Sequence, residues 1–176
     1  MRYAANTELR KRAPVASGCA YRARFADEPE CVTAELAAEL GRVLERFAEE
    51  AGATAAKPVV IGFGRGMFGH HQVGRAVDIY GVNGLRLDGW KRRWDAAQCR
   101  AAAAPSALER RLIMETEEKR NLGWRLYKAL QIHGRWAQPY GYPIQLFGPW
   151  TRSEGPWRPI SNFLLNAHRD HIHVAK

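Results

Sequence analysis

The chain has 176 residues, with 27 Lys and Arg against 18 Asp and Glu, giving a formal net charge of +9. This length fits one domain with a substantial core, and the hydrophobic share of 46% is that of a globular protein. No apolar run approaches the roughly 18 residues of a membrane helix. The basic N-terminus lacks the apolar core of a secretory signal, so we expect no membrane span and no signal peptide.

The first half of the chain predicts an irregular leader, one helix and two strands. Residues 1–30 are basic and contain Pro and Gly without periodicity. Apolar residues at helical spacing follow Thr33, a favourable N-cap residue, and Gly52 is a favourable stop. The apolar stretches "KPVVIGF" and "RAVDIYGV" then predict two strands on either side of a glycine-rich turn.

The second half predicts two helices and two strands. A helix is expected from "DGWKRRW" to Pro105, and a longer one from Ser106 to Gly134, with a capping box at its start and a weak point at Gly123. "YPIQLFG" and "HIHVAK" predict the last strands. We therefore expect a single α+β domain over 1–176, with a small, largely antiparallel sheet, helices packed to one side and a helical insert at 89–133.

The cysteines do not predict a metal site. Cys19, Cys31 and Cys99 show no CxxC spacing, and their odd number leaves at least one thiol outside any intrachain disulfide. Pairing of Cys19 with Cys31 stays open.

The stretch "HHQVGRAVDI" carries the first chemically distinctive residues. Asp78 stands inside an apolar strand, where a carboxylate costs several kcal/mol unless it is paired or coordinated. Gly74 allows the chain to turn so that His71 can meet Asp78. Two interpretations remain: Asp78 and His71 are metal ligands, or Asp78 pairs with Arg65 or Arg75.

The C-terminal stretch "AHRDHIHVAK" carries the second set. Half of the six histidines in the chain, His168, His171 and His173, lie here with Asp170. A strand would place His171 and His173 on one face. Because histidine is the commonest zinc ligand, this clustering favours a metal site.

Together the two stretches resemble the LAS-type zinc peptidases, whose signature is HxxGxAxD followed by a late HxH. This superfamily includes D-alanyl-D-alanine carboxypeptidases, phage L-alanyl-D-glutamate endolysins and murein endopeptidases. The match covers residues 58–81 and 142–176. The resemblance implies that His71, Asp78 and His173 bind Zn²⁺, which activates a water for attack on a peptide bond of peptidoglycan.

The resemblance also implies roles for the remaining polar residues. Asp170, three positions before the last ligand, corresponds to the general base, and His171 would stabilise the tetrahedral intermediate. His168 is the first alternative base, and the second is a glutamate such as Glu115 of the insert or Glu154. In a straight strand Asp170 would point away from His171, so the chain must bend there.

Substrate binding rests on Arg65 in "GFGRG", which would hold a substrate carboxylate. The chain departs from the family pattern at Gly69, where relatives often carry Ser or Thr. We expect a monomer that acts on the cell wall, in the periplasm or outside the cell. The bond cleaved, and whether the enzyme is a carboxypeptidase or an endopeptidase, stay open.

Two other functions are weighed against this one. A non-catalytic zinc module of the same fold would bind wall fragments or a protein partner. A nucleic-acid-binding protein is disfavoured, because the best basic and aromatic stretch, "GWKRRW" at 89–94, amounts to one helical turn.

Overall fold

A computed structural model describes residues 33–51, 60–62, 70, 75–82, 85–134, 145–151 and 161–175. These residues form five helices: α1 (Ala34–Ala51), α2 (Leu87–Ala103), α3 (Ala107–Arg120), α4 (Leu122–His133) and α5 (Asn162–Ala167). Five strands accompany them: β1 (Val60–Gly62), β2 (Ala76–Val82), β3 (Leu85–Arg86), β4 (Gln145–Phe147) and β5 (Ile172–Ala175). The predicted leader at 1–30 lies outside the described residues.

The strands form one antiparallel sheet in the order β1-β2-β5-β4, with β3 paired to β2. Each described strand pair is antiparallel. The α+β class predicted from the sequence is therefore confirmed. The long connection through the insert brings the last strand, β5, into the centre of the sheet beside β2.

One face of the sheet carries the apolar core. Val77 and Ile79 of β2 and Ile172 and Val174 of β5 are fully buried. They join a single cluster with apolar residues of α1, α2 and α4. Side chains alternate along a strand, so the residues between them, including Asp78 and His173, point to the other face. The strands that carry Asp78 and His173 are therefore packed against the apolar core on their opposite face.

The predicted insert at 89–133 is helical, but its second half differs from the expectation of one long helix. The chain breaks at Asn121, whose side chain is fully buried. Its amide nitrogen donates to the carbonyl oxygen of Trp90 at 2.9 Å, and its oxygen accepts from the backbone N–H of Trp124 at 3.0 Å. Asn121 thus caps α4 and ties it to α2.

Gly123, which was expected only to weaken the helix, has a packing role at this break. A Cβ on Gly123 would lie 2.6 Å from Cβ of Trp90 and 2.7 Å from the ring of Trp150. Glycine is therefore the residue that allows α4 to approach both tryptophans closely.

Serine and threonine caps begin three of the helices. Thr33 accepts from the N–H of Leu36 at 3.3 Å, and Ser106 accepts from the N–H of Glu109 at 3.1 Å, as predicted. Ser161 caps α5, a short helix that the sequence analysis missed. None of the helices in the described ranges is long and apolar enough to cross a membrane.

Candidate functional site

The register of β2 and β5 brings the two sequence motifs together. Asp78 and His173 are opposite each other in the antiparallel ladder although they are 95 residues apart in the chain. Both are buried, at 5% and 8% exposure. His173 Nδ1 lies 2.9 Å from Asp78 Oδ1, so the buried carboxylate has a partner from the other motif.

His171 lies on the same side and contacts two carboxylates. Its Nε2 is 3.7 Å from Asp78 Oδ1, and its Nδ1 is 2.8 Å from Asp170 Oδ1. Residues 169–171 form a bend, and β5 begins only at Ile172. This bend turns Asp170 toward His171, as the sequence analysis required.

His168 completes the set and is held by its own hydrogen bond. Its Nδ1 is 2.8 Å from the carbonyl oxygen of Leu164, and its ring stacks on Phe147 with centroids 4.7 Å apart. A carbonyl can only accept, so the proton is on Nδ1 and Nε2 carries a lone pair. The ring centroid is 5.0 Å from that of His171 and 5.3 Å from that of His173.

Burial, together with the nearby rings of His173 and His171, lowers the pKa of His168 to about 4, against the opposing hydrogen bond to Leu164. His168 is therefore neutral at pH 7. We call Asp78, His168, Asp170, His171 and His173 the histidine cluster.

Two residues at the edge of the histidine cluster were not assigned a role from the sequence. Tyr80 follows Asp78 on the same face of β2, hydrogen-bonds to it and places its ring centroid 5.1 Å from that of His171. Burial raises the pKa of Tyr80, and the carboxylates of Asp78 and Asp170 raise it further. Arg86, which precedes α2, lies 3.6 Å from Asp170 Oδ2. Strand alternation could have identified Tyr80, but no sequence signal joins Arg86 to Asp170.

The remaining predicted site residues lie elsewhere or outside the described ranges. His71, Arg65 and Glu154 are not among the described residues. Glu115 does not join the histidine cluster; it pairs with Arg111 on an exposed face of α3. Arg75, one of the alternative partners of Asp78, is exposed.

One backbone hydrogen bond lies immediately before β2. The N–H of Arg75 donates to the carbonyl oxygen of His70 at 2.8 Å. The predicted turn at Gly74 lies outside the described residues.

The described donors fit zinc in type, and their spacing is that of a hydrogen bond. Two of the three predicted ligands, Asp78 and His173, present oxygen and nitrogen atoms 2.9 Å apart. Two donors on tetrahedral zinc, each about 2.0–2.1 Å from the metal, are separated by about 3.3 Å. Within the described ranges, which omit His71, no group of three His, Cys, Asp or Glu residues is arranged to hold a metal.

Comparisons of the chain with protein-family models, with curated proteins and with solved structures give no match. The residues of the histidine cluster are therefore the basis for a functional proposal.

Proposed function

We propose that the chain is a zinc-dependent hydrolase of LAS type that cleaves a peptide bond in peptidoglycan. The observation that carries this proposal is the pairing of Asp78 with His173 across β2 and β5. A carboxylate buried in a central strand costs several kcal/mol without a partner. Here its partners are histidines from the second half of the motif, which are the residue types that bind zinc.

The zinc ligands in this proposal are His71, Asp78 and His173. When bound, the metal supplies Lewis-acid polarisation and makes hydroxide available near pH 7. The buried positions of Asp78 and His173 exclude bulk water from this side of the site. The packed strands behind them fix both side chains in place.

Asp170 is the general base in this mechanism. Its side chain is 41% exposed at the edge of the histidine cluster, so it can meet both water and substrate. His171 and Arg86 contact its two oxygens at 2.8 and 3.6 Å and hold the carboxylate in position. Asp170 accepts the proton of the attacking water on a carboxylate oxygen and returns it to the leaving amine.

His171 stabilises the negative charge that develops on the carbonyl oxygen of the substrate. Its ring is held between Asp170 and Tyr80, and this fixed orientation is what electrostatic stabilisation requires. His168 is the second candidate for the base, because the hydrogen bond to Leu164 leaves its Nε2 lone pair free to accept a proton.

The substrate in this proposal is a peptide of the bacterial cell wall, reached in the periplasm or outside the cell. Arg65 would bind a carboxylate of that peptide. The protein acts as a monomer. Mass spectrometry of the fragments released from purified walls identifies the bond cleaved and separates carboxypeptidase from endopeptidase activity.

The test is zinc content together with wall digestion by the full chain. We expect one zinc per chain and release of soluble peptide fragments, both lost on treatment with a chelator and restored by zinc. A protein that binds zinc but releases no fragments is a non-catalytic wall-binding module. A protein that digests walls equally well without zinc contradicts the proposal.

A further inference from the structure

A groove between α2 and α3 shares no residue with the histidine cluster. It has a volume of about 550 Å³ and lies on the helical insert, for which the sequence analysis found no motif. We call it the arginine groove, and its lining is Arg93, Ala96, Arg100, Leu112, Ile113, Thr116, Glu117 and Arg120.

The three arginines of the groove have no acidic partner in the described part of the chain. Two other exposed arginines of the same helices are neutralised locally. Arg92 pairs with Asp88, and Arg111 pairs with Glu115, each one turn away on its own helix. The groove therefore gathers three arginines that make no ion pair within the described part of the chain.

The acidic residue of the groove does not neutralise these arginines. Glu117 is buried, and its Oε1 accepts a hydrogen bond from the side-chain amide of Asn121 at 2.7 Å. Its carboxylate is thus committed to the junction of α3 and α4. An anionic ligand would meet the guanidinium groups without displacing an internal ion pair.

The spacing of the arginines favours a ligand with several anionic groups. Arg93 and Arg100 lie two helical turns apart on α2, which is about 10 Å along the helix axis. Arg120 approaches from the opposite wall, on α3. A chain that carries anionic groups at intervals can contact all three, whereas a small single anion is held by one or two.

The surface between the arginines is aliphatic and hydroxylic. Leu112 is 51% exposed, and Ala96, Ile113 and Thr116 lie beside it. This surface suits the carbon backbone of a polyol better than a nucleobase. Binding of single-stranded nucleic acid relies on exposed aromatic rings on which bases stack.

The tryptophans of the adjoining "GWKRRW" stretch do not provide such rings. Trp90 and Trp94 are only 5% and 6% exposed and belong to the core. The guanidinium of Arg93 lies 4.9 Å from the ring centroid of Trp90, so this ring is also occupied. Of the basic residues in this stretch, Arg92 and Arg93 are exposed.

We propose that the arginine groove binds an anionic polyol chain linked by phosphodiesters. The phosphates contact Arg93, Arg100 and Arg120, and the polyol carbons lie against Leu112 and Ile113. Binding is independent of hydrolysis because it uses none of the residues of the histidine cluster. Such a polymer would hold the enzyme on the cell envelope, so this inference adds a partner to the proposed function.

The test is the affinity of the full chain for fluorescently labelled poly(glycerol phosphate), measured by anisotropy at fixed salt. The double variant Arg100→Gln, Arg120→Gln should weaken binding about tenfold or more. The matched control Arg92→Gln, Arg111→Gln removes the same charge outside the groove and should weaken binding about twofold or less. Leu112→Gln should weaken binding several-fold without changing the charge.

Three outcomes would overturn the proposal. Equal losses in the two double variants would show general charge attraction only. Equally tight, arginine-dependent binding of single-stranded DNA would show a nucleic-acid groove. Arginine-dependent binding to phosphatidylglycerol vesicles, without binding to the polymer, would show a membrane site. Helix content of each variant is checked by circular dichroism, and none of these results depends on zinc or cleavage.

Discussion

The histidine cluster and the arginine groove place ionisable side chains in opposite environments. In the histidine cluster, Asp78 and His173 are buried, so each must find a polar partner when the chain folds. In the arginine groove the guanidinium groups are exposed and solvated, and they make no internal ion pair in the described part of the chain. The buried residues of the histidine cluster therefore affect both the free energy of unfolding and the chemistry of the site. The exposed arginines of the groove contribute little to stability before a ligand binds.

The largest effect should come from removing His173. The variant His173→Ala removes the hydrogen bond between His173 and the buried Asp78, which should cost about 3–5 kcal/mol in the metal-free protein. Zinc content should fall to background. Wall cleavage should fall by more than roughly 10–100-fold, which is the usual cost of losing a residue that only supports a metal ligand. Urea unfolding with chelator, zinc analysis and fragment release measure the three effects.

The matched control is His133→Ala, which removes a histidine on α4 that pairs with Glu50 at 3.0 Å. It should leave zinc content and cleavage unchanged. If His173→Ala retained both zinc and activity, the pairing of Asp78 with His173 would not contribute to catalysis.

The next effect separates the two candidate bases. Asp170→Asn should lower kcat by roughly 10²–10⁴-fold while zinc content stays at one per chain. His168→Gln should lower kcat less than tenfold, because in this mechanism His168 packs against Phe147 and accepts no proton. The opposite order, with His168→Gln the more damaging change, would make His168 the base and Asp170 the residue that positions His171.

A structural change in the insert should affect stability without affecting zinc. Asn121→Ala removes the buried donor to the carbonyl of Trp90 and the partly buried cap of α4. We expect a loss of about 1–3 kcal/mol in the free energy of unfolding. The exposed Asn162→Ala is the control and should change stability by less than about 0.5 kcal/mol. A loss of zinc in Asn121→Ala would show that the insert positions the histidine cluster.

The pH dependence of the metal-free protein should report His168. The folded protein holds this ring neutral down to a pKa of about 4, whereas the unfolded chain protonates it near the ordinary value of 6.5. The unfolded state therefore binds more protons in this window. The stability contribution is fully present above pH 6.5 and is lost as the pH falls toward 4, by on the order of 1–3 kcal/mol.

Chelator-treated wild type and His168→Gln, unfolded by urea at a series of pH values, provide the measurement. The variant has no titrating ring at this position, so its stability should fall less between pH 6.5 and 4. Parallel curves for the two proteins would show that the folded state does not hold His168 neutral.

The sequence predicted the histidine cluster better than it predicted the insert, for a physical reason. Strand alternation fixed the face of Asp78, and the density of histidines near the C-terminus marked the partner strand. The register that sets Asp78 opposite His173 is a long-range contact that local pattern alone does not determine. The resemblance to a known motif supplied that pairing.

The insert was harder to predict because its important contacts join residues of ordinary type. In the sequence, Asn121 is a polar residue within a helical pattern, and nothing local indicates that it is buried. Its hydrogen-bond partner Trp90 is 31 residues away. From the sequence alone, Arg93 and Arg120 are expected to be solvated helix residues. Only the packing of α2 beside α3 shows that they line one groove. The link between Arg86 and Asp170 was missed for the same reason.

The smallest effects should come from the two serine caps, one in each region. Ser106 and Ser161 each accept a backbone hydrogen bond from the residue three positions later, at 3.1 and 3.3 Å. Replacing either by Ala should cost about 1 kcal/mol. Ser106→Ala should fray the start of α3 and weaken polymer binding, because Leu112 and Arg120 lie on that helix.

Ser161→Ala should instead loosen α5, whose Leu164 carbonyl holds His168. We expect it to change kcat slightly and to leave polymer affinity unchanged, with the reverse pattern for Ser106→Ala. Amide hydrogen exchange of α3 and α5, measured beside the two activities, tests this separation. If either variant changed both activities equally, the histidine cluster and the arginine groove would be mechanically coupled through the insert rather than independent sites.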